Sequence, residues 1–244
     1  LRQKLGQHFL ASDATLVRIA DLICRHADGR ILEIGPGRGA LTRKLIERSR
    51  AVTAIEIDSA LALQLRTEFA SVPNLEIVSG DAMDFDFRQW NVGLVAGNLP
   101  YYVATPLIEK TVRAGLPGVF LIQKEVAQRL AAGPGSRDYG FLSCTTQLFS
   151  DPVLVFTVAP GAFRPPPKVD SAVVQLTPAD RSRELGIGDP EAFLKFLSAC
   201  FRQKRKTLRN NLREAPSIAS QPEAGLRAEQ LSLAQFADLW RRLQ

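Results

Sequence analysis

The sequence is poor in the residues that most often carry metal and redox chemistry. It holds three cysteines, two histidines and one methionine in 244 residues. Cys24, Cys144 and Cys200 are scattered, form no C-x-x-C pair, and have only His8 and His26 to join them. A metal site is therefore not expected, because zinc needs several closely spaced Cys or His ligands. The odd cysteine count argues against a disulfide framework and for a reducing, cytoplasmic setting, with each cysteine a small buried apolar residue. No stretch approaches the ~18 apolar residues that cross a bilayer, so no membrane partner is expected. Leu1-Arg2-Gln3-Lys4 leads into no apolar signal core, which points away from secretion. Internal repeats and low-complexity tracts are absent. One local absence stands out: the run Arg202, Lys204, Arg205, Lys206, Arg209, Arg213 contains no acid.

What is present is ordinary for a globular chain: 45% hydrophobic and 23% charged residues. The length allows one large domain with a small appendage. A net charge of +6 favours a polyanionic partner, and the acid-free run concentrates that charge.

Periodicity organises the chain. Residues 12–28 read as a helix capped by Ser12 or Asp13, with Leu16, Ile19, Ala20 and Ile23 on one face. Strands are predicted at 30–34, 52–57, 75–78, 92–96 and 119–122. Helices are predicted between them, at 40–48 and, capped by Ser59, at 59–69. Strand alternating with helix implies a parallel sheet covered on both faces. Residues 152–158 and 171–176 read as two strands without a helix between them, hence an antiparallel edge, joined by a rigid proline-rich connector. Residues 180–189 read as a linker, and helices are expected at 190–213 and about 223–243. The expected domains are 1–179, an α/β sheet domain, and 180–244, a small helical domain.

Gly35-Pro36-Gly37-Arg38-Gly39 follows the first strand, where a glycine turn lets backbone approach a ligand at a helix N-terminus. The motif is ambiguous. Gly35, Gly37 and Ala40 satisfy the dinucleotide pattern G-x-G-x-x-G/A of a nicotinamide dehydrogenase. Gly35, Gly37 and Gly39 satisfy the shorter G-x-G-x-G of methyltransferases. Glu56, ending the second strand, suits ribose hydroxyls in either case. The third strand ends in Gly80-Asp81-Ala82, where Asp81 offers an acceptor for an adenine amine and Ala82 leaves room for the ring; Asp81 as a plain loop cap is the alternative.

The fourth strand runs into Gly97-Asn98-Leu99-Pro100-Tyr101-Tyr102. An adenine amine is a poor nucleophile because its lone pair is delocalised into the ring. Acceptors on both N–H bonds favour a more tetrahedral nitrogen, and the Asn98 side-chain oxygen and Leu99 carbonyl are such acceptors. Pro100 biases Leu99 towards an extended conformation. Tyr101 offers a flat face for an extruded base. No strong base is needed for attack on a sulfonium carbon, so positioning and fixed dipoles would carry the catalysis.

With these motifs the chain resembles the ribosomal RNA adenine dimethyltransferase family over nearly its whole length. The resemblance rests on Gly6-Gln7-His8-Phe9-Leu10, Glu33-Ile34-Gly35-Pro36-Gly37, Glu56-Ile57-Asp58, Gly80-Asp81-Ala82 and Asn98-Leu99-Pro100-Tyr101. Further on it rests on Gln123-Lys124-Glu125-Val126, Tyr139-Gly140, residues 163–171 and residues 201–207. It implies a seven-strand, mostly parallel Rossmann-like methyltransferase sheet with a small helical C-terminal domain. It implies S-adenosylmethionine as donor, S-adenosylhomocysteine as product, and two adjacent adenosines near the 3′ end of small-subunit ribosomal RNA as target during subunit maturation. A monomer acting on RNA or a pre-30S particle is expected. By resemblance and motif, donor contacts fall on His8, Leu10, Gly35, Gly37, Glu56, Ile57, Asp81, Ala82 and Asn98. The related large-subunit enzymes of macrolide resistance are the nearest alternative; they lack the string at 163–171 as written here. A fold retained for RNA binding alone is another.

One position departs from the pattern: His8 stands where the family usually has asparagine. A histidine side chain on the donor would make affinity depend on pH near 6–7, the range of a free imidazole. The alternative is that His8 uses only its backbone or packs. Lys124, Arg164, Lys168, Arg202, Lys204, Arg205, Lys206 and Arg209 are candidate phosphate contacts, the last five on a predicted helix with Phe201 and Leu208 inward. Phe163 either lies against the target base opposite Tyr101 or anchors its loop in the core.

Overall fold

The computed structural model describes residues 8–100 and 102–244. The chain divides into two compact units: one of residues up to Ala127 with Val153–Pro178, the other of Gln128–Pro152 with Ala179–Gln244. The segment 128–152, expected in the sheet domain, groups with the C-terminal unit. The reason is its packing: Tyr139, Cys144 and Leu148 are buried in one cluster with Phe193, Leu197 and Phe236.

In the first unit the strands are β1 (Phe9–Leu10), β2 (Arg30–Ile34), β3 (Ala51–Glu56), β4 (Leu75–Ser79), β5 (Leu94–Asn98) and β6 (Gly118–Gln123). Then come β7 (Ser150–Val158), β8 (Phe163–Arg164) and β9 (Ser171–Pro178). Seven form one sheet in the order β4-β3-β2-β5-β6-β9-β7, with β9 antiparallel to β6. Strands β2, β3 and β5 bury nearly every residue, as strands of a sheet covered on both faces do. The chain steps outward from β2 to β4, then returns to lay β5 on the other side of β2. That reversal opens a crevice at the carboxyl ends of β2 and β5. Ile34 pairs with both Ile55 and Gly97, so three strands end at one level and their loops emerge together.

Helix α1 (Asp13–His26) is capped by Ser12, whose hydroxyl accepts from the Thr15 amide, and buries the predicted face. Helix α2 (Ala40–Ile46) follows the glycine turn. Helix α3 (Ser59–Glu68) is capped by Asp58 rather than Ser59: the Asp58 carboxylate, on extended backbone, accepts from the Ala60 and Leu61 amides at 2.9 and 3.3 Å. The proline-rich connector is not only a connector. Its start forms β8, which pairs antiparallel with β1: Phe9 faces Arg164 and Leu10 faces Phe163.

The second unit is helical: α4 (Phe141–Phe149), α5 (Arg181–Glu184), α6 (Pro190–Cys200), α7 (Leu208–Asn211) and α8 (Leu233–Leu243). Three expectations change here. The 180–189 linker contains α5, capped by Asp180, and the Arg181 guanidinium takes the Gln147 and Ser150 carbonyls. The helix expected over 190–213 stops at Cys200, and residues 201–206 form turns. Buried Asn211 donates its amide to the Cys200 and Gln203 carbonyls, satisfying a helix end that a run of like charges would otherwise have to continue. The helix expected from about 223 begins only at Leu233, where Ser232 and Gln235 form a capping box; short 3-10 turns precede it. Cys144 and Cys200 are buried and Cys24 is half-buried, and all three are free thiols.

Candidate functional site

The crevice at the switch point is a cavity lined by loops from four parallel strands and by the β1–β8 pair. Each predicted donor contact within the described residues lines it: His8, Leu10, Gly35, Gly37, Glu56, Ile57, Asp81, Ala82 and Asn98. These residues are scattered over 91 positions and meet only because the strands end at one level.

The glycine turn is shaped from both sides. Gly37 has φ +59°, and a Cβ there would lie 2.9 Å from the Phe9 ring. Gly39 has φ +75°, and a Cβ there would meet Leu65 and Phe69 at 2.9 and 3.0 Å. The third glycine of the shorter motif is therefore required by packing against α3, which the dinucleotide pattern does not call for.

Glu56 is 1% exposed. Its Oε2 accepts from the Gly37 amide and its Oε1 from the Asp58 amide, both at 2.9 Å. Burial raises its pKa, the two amides oppose the rise, and the Asp58 carboxylate adds to it. Each carboxylate oxygen keeps a second lone pair for a ligand hydroxyl. Asp81 is exposed and does act as a loop cap, its Oδ1 accepting from the Met83 amide at 2.8 Å; its Oδ2 takes no part in that bond.

Asn98 ends β5 half-buried, and its Nδ2 donates to the His8 carbonyl at 3.0 Å. Its Oδ1 is thereby the end of the amide left to accept from a substrate. Leu99 is buried and its amide donates to the Leu121 carbonyl at 3.0 Å, tying the loop to β6. Pro100 lines the cavity. Tyr101 lies outside the described residues. Its neighbour Tyr102, not singled out from sequence, lines the cavity and is 60% exposed.

Sequence reasoning also passed over Glu33 as a site residue. It lines the cavity at 2% exposure, and its Oε2 has no hydrogen-bond partner among the described residues. Burial raises its pKa to about 7; the neighbouring Thr42 hydroxyl opposes the rise and the Glu56 carboxylate adds to it. The signal was available: an acid in the middle of the apolar run Ile31-Leu32-Glu33-Ile34.

The RNA candidates divide. Phe163 is buried at 2% in the core cluster with Leu10, Leu16 and Val158, which is the anchoring alternative, although it also lines the cavity. Lys124 pairs with Asp170 at 3.5 Å, and Arg164 donates to the Gly161 and Phe163 carbonyls. Lys168 is exposed. Arg202 faces Glu214 at 3.9 Å and Lys204 donates to the Arg137 carbonyl at 2.7 Å. Arg205, Lys206 and Arg209 are exposed.

The family model described as ribosomal RNA adenine dimethylase matches residues 1–243. A ribosomal RNA small subunit methyltransferase A from Acidobacterium capsulatum is 43% identical, covering 100% of this chain and 91% of that protein. One of the same description from Geobacter metallireducens is 40% identical, covering 99% and 95%. Among solved structures, a dimethyladenosine transferase from Plasmodium falciparum superposes with a TM-score of 0.81 at 26% identity, covering 96% and 97%. The 23S rRNA methyltransferase ErmE superposes with a TM-score of 0.70 at 25% identity, covering 96% and 99%.

Proposed function

Because the chain belongs to the ribosomal RNA adenine dimethylase family, we propose that it dimethylates the N6 amines of two adjacent adenosines in the 3′-terminal hairpin loop of small-subunit ribosomal RNA, with S-adenosylmethionine as donor. The observation that carries this reading is the Asn98 amide: its nitrogen is taken by the His8 carbonyl, so its oxygen is the acceptor presented at the cavity that Glu56 and Asp81 share.

The cavity suits this donor. A cation belongs beside Glu33, whose buried Oε2 has no partner among the described residues. Glu56 would hold the ribose hydroxyls, and Asp81 with Ala82 the adenine. His8 and Leu10 close the N-terminal side from β1. S-adenosylmethionine, when bound there, would supply an electrophilic methyl carbon on sulfur, with S-adenosylhomocysteine as the product.

The protein's own work is positioning. Asn98 Oδ1 accepts one N–H of the target amine and the Leu99 carbonyl the other, which localises the lone pair on nitrogen. Tyr101 stacks on the extruded base. The proton leaves after attack, so the site needs no strong base. Lys124, Arg164, Lys168 and the basic segment 202–209 contact phosphates. The chain works in the cytoplasm as a monomer on pre-30S particles, without a metal.

The test is mass spectrometry of ribosomal RNA after incubation with labelled donor, using 30S precursor and 23S RNA in parallel. Two adjacent dimethyladenosines in the small-subunit RNA are expected. Modification of 23S RNA alone would move the reading to the large-subunit enzymes that ErmE represents. Asn98→Ala should lower kcat on the order of 10²-fold, the scale for losing one preorganised acceptor or donor. An Asn98→Ala protein with parental kcat would overturn its role.

A further inference from the structure

His8 joins two parts of the site that lie far apart in sequence. It precedes β1, its carbonyl accepts the Asn98 Nδ2 at 3.0 Å, and its ring Nδ1 lies 2.9 Å from the Pro165 carbonyl. A carbonyl only accepts, so Nδ1 carries the proton in that bond. Pro165 follows β8, and β8 is paired with β1, so the ring bond extends that ladder by one contact beyond its two-residue register.

The bond to Asn98 has a directional consequence. If the Asn98 amide were turned over, its oxygen would face the His8 carbonyl, two acceptors in contact. The His8 carbonyl therefore decides which end of the amide meets the substrate, and it can do so only while the chain at position 8 is held in place. The β1–β8 pairing holds it from one side, with the Ala11 and Ser12 amides both donating to the Ala162 carbonyl. The imidazole bond to Pro165 is a further tether.

We infer that His8 is a positioning residue for methyl transfer: its ring ties the start of β1 to the Pro165 carbonyl, and its own carbonyl sets the Asn98 amide with Oδ1 towards the target amine. This rests on the methyl-transfer reading above. It differs from the reading of the His8 ring as a donor contact, because the ring acts through Asn98. It also accounts for the histidine at a position where asparagine is usual. Asn Nδ2 and His Nδ1 are both attached to Cγ, so both side chains present an N–H at the same reach from the backbone.

The defect is expected in kcat, measured at a donor concentration that offsets any change in donor affinity. In His8→Leu, kcat on 30S precursor at saturating S-adenosylmethionine should fall about tenfold. His8→Asn should restore kcat to within about twofold of the parent. A parental kcat in His8→Leu, a loss of donor affinity that accounts for the whole defect, or a His8→Asn protein no better than His8→Leu would each overturn it. A parent that methylates no RNA would instead sink the methyl-transfer reading.

A second measurement needs no variant. The chain has two histidines, so ¹⁵N imidazole resonances are readily assigned. His26 Nδ1 lies 3.4 Å from the Gln175 Nε2, which only donates, so neutral His26 should carry its proton on Nε2. Neutral His8 should carry it on Nδ1. Opposite tautomers are expected, and an Nε2–H tautomer at His8 would overturn the inference even if the leucine variant does not fold.

Discussion

Glu33 is the residue with the most direct thermodynamic signature. Its carboxyl titrates near 7 in the fold against 4.5 for the free group, with burial as the main cause. The folded state therefore holds a proton that the unfolded chain has released between those values. The sign follows: this carboxyl costs the fold nothing below about pH 4.5, its cost grows as pH rises towards 7, and above that it levels off on the order of 3 kcal/mol. Glu33→Gln should raise Tm clearly at pH 8 and hardly at pH 4, in scans without donor. An equal gain at both pH values would show that the carboxyl is not being forced to ionise inside the fold. The same substitution should weaken donor binding, since it removes the buried charge that faces the cation.

At the scale of elements, the segment 201–206 is the instructive case. Its cations were legible in the sequence; its backbone was not. Phe201 and Leu208 fit a helical spacing, yet the helix ends at Cys200, whose carbonyl is taken up by the Asn211 amide from eleven residues on. The turn leaves Arg205 and Lys206 exposed without the fixed spacing of a helix face. If these cations meet RNA phosphates, Arg205→Glu with Lys206→Glu should weaken binding and flatten the slope of log K against log salt by about 0.7–0.9 per lost contact. An unchanged slope would mean that they serve solubility only. At the other end of the chain, Asp58 displaced Ser59 as the α3 cap for a simple reason. Both are good caps, and the backbone turns extended at 58, one residue before the periodicity alone would start the helix.

For the whole molecule, the division of the chain matters more than its length. Residues 128–152 belong to the core of the C-terminal unit, and the Ala179 amide donates to the Phe149 carbonyl. A chain cut after Ala179, the boundary that composition alone marks, would strip Phe193, Leu197 and Phe236 from Cys144 and Leu148. Such a fragment should bind a hydrophobic dye and precipitate on modest heating. A soluble fragment with parental melting of the sheet would show that α4 does not depend on the helices beyond 180.

The parallel sheet, the glycine turn and the chemical groups at Glu56, Asp81 and Asn98 were determined by the sequence alone, because each follows from local rules: apolar runs of strand length, backbone permissiveness at glycine, and acceptor side chains at strand ends. The end of α6 at Cys200, the place of 128–152, and the pairing of β1 with β8 were decided by tertiary structure, because each depends on groups distant in sequence. His8 shows the boundary between the two. Its imidazole could be read as a donor contact from position alone. Only folding brings it to a carbonyl 157 residues away, and its own carbonyl to an amide 90 residues away. No periodicity encodes such distances, since what sets them is the meeting of strand ends at one level of the sheet.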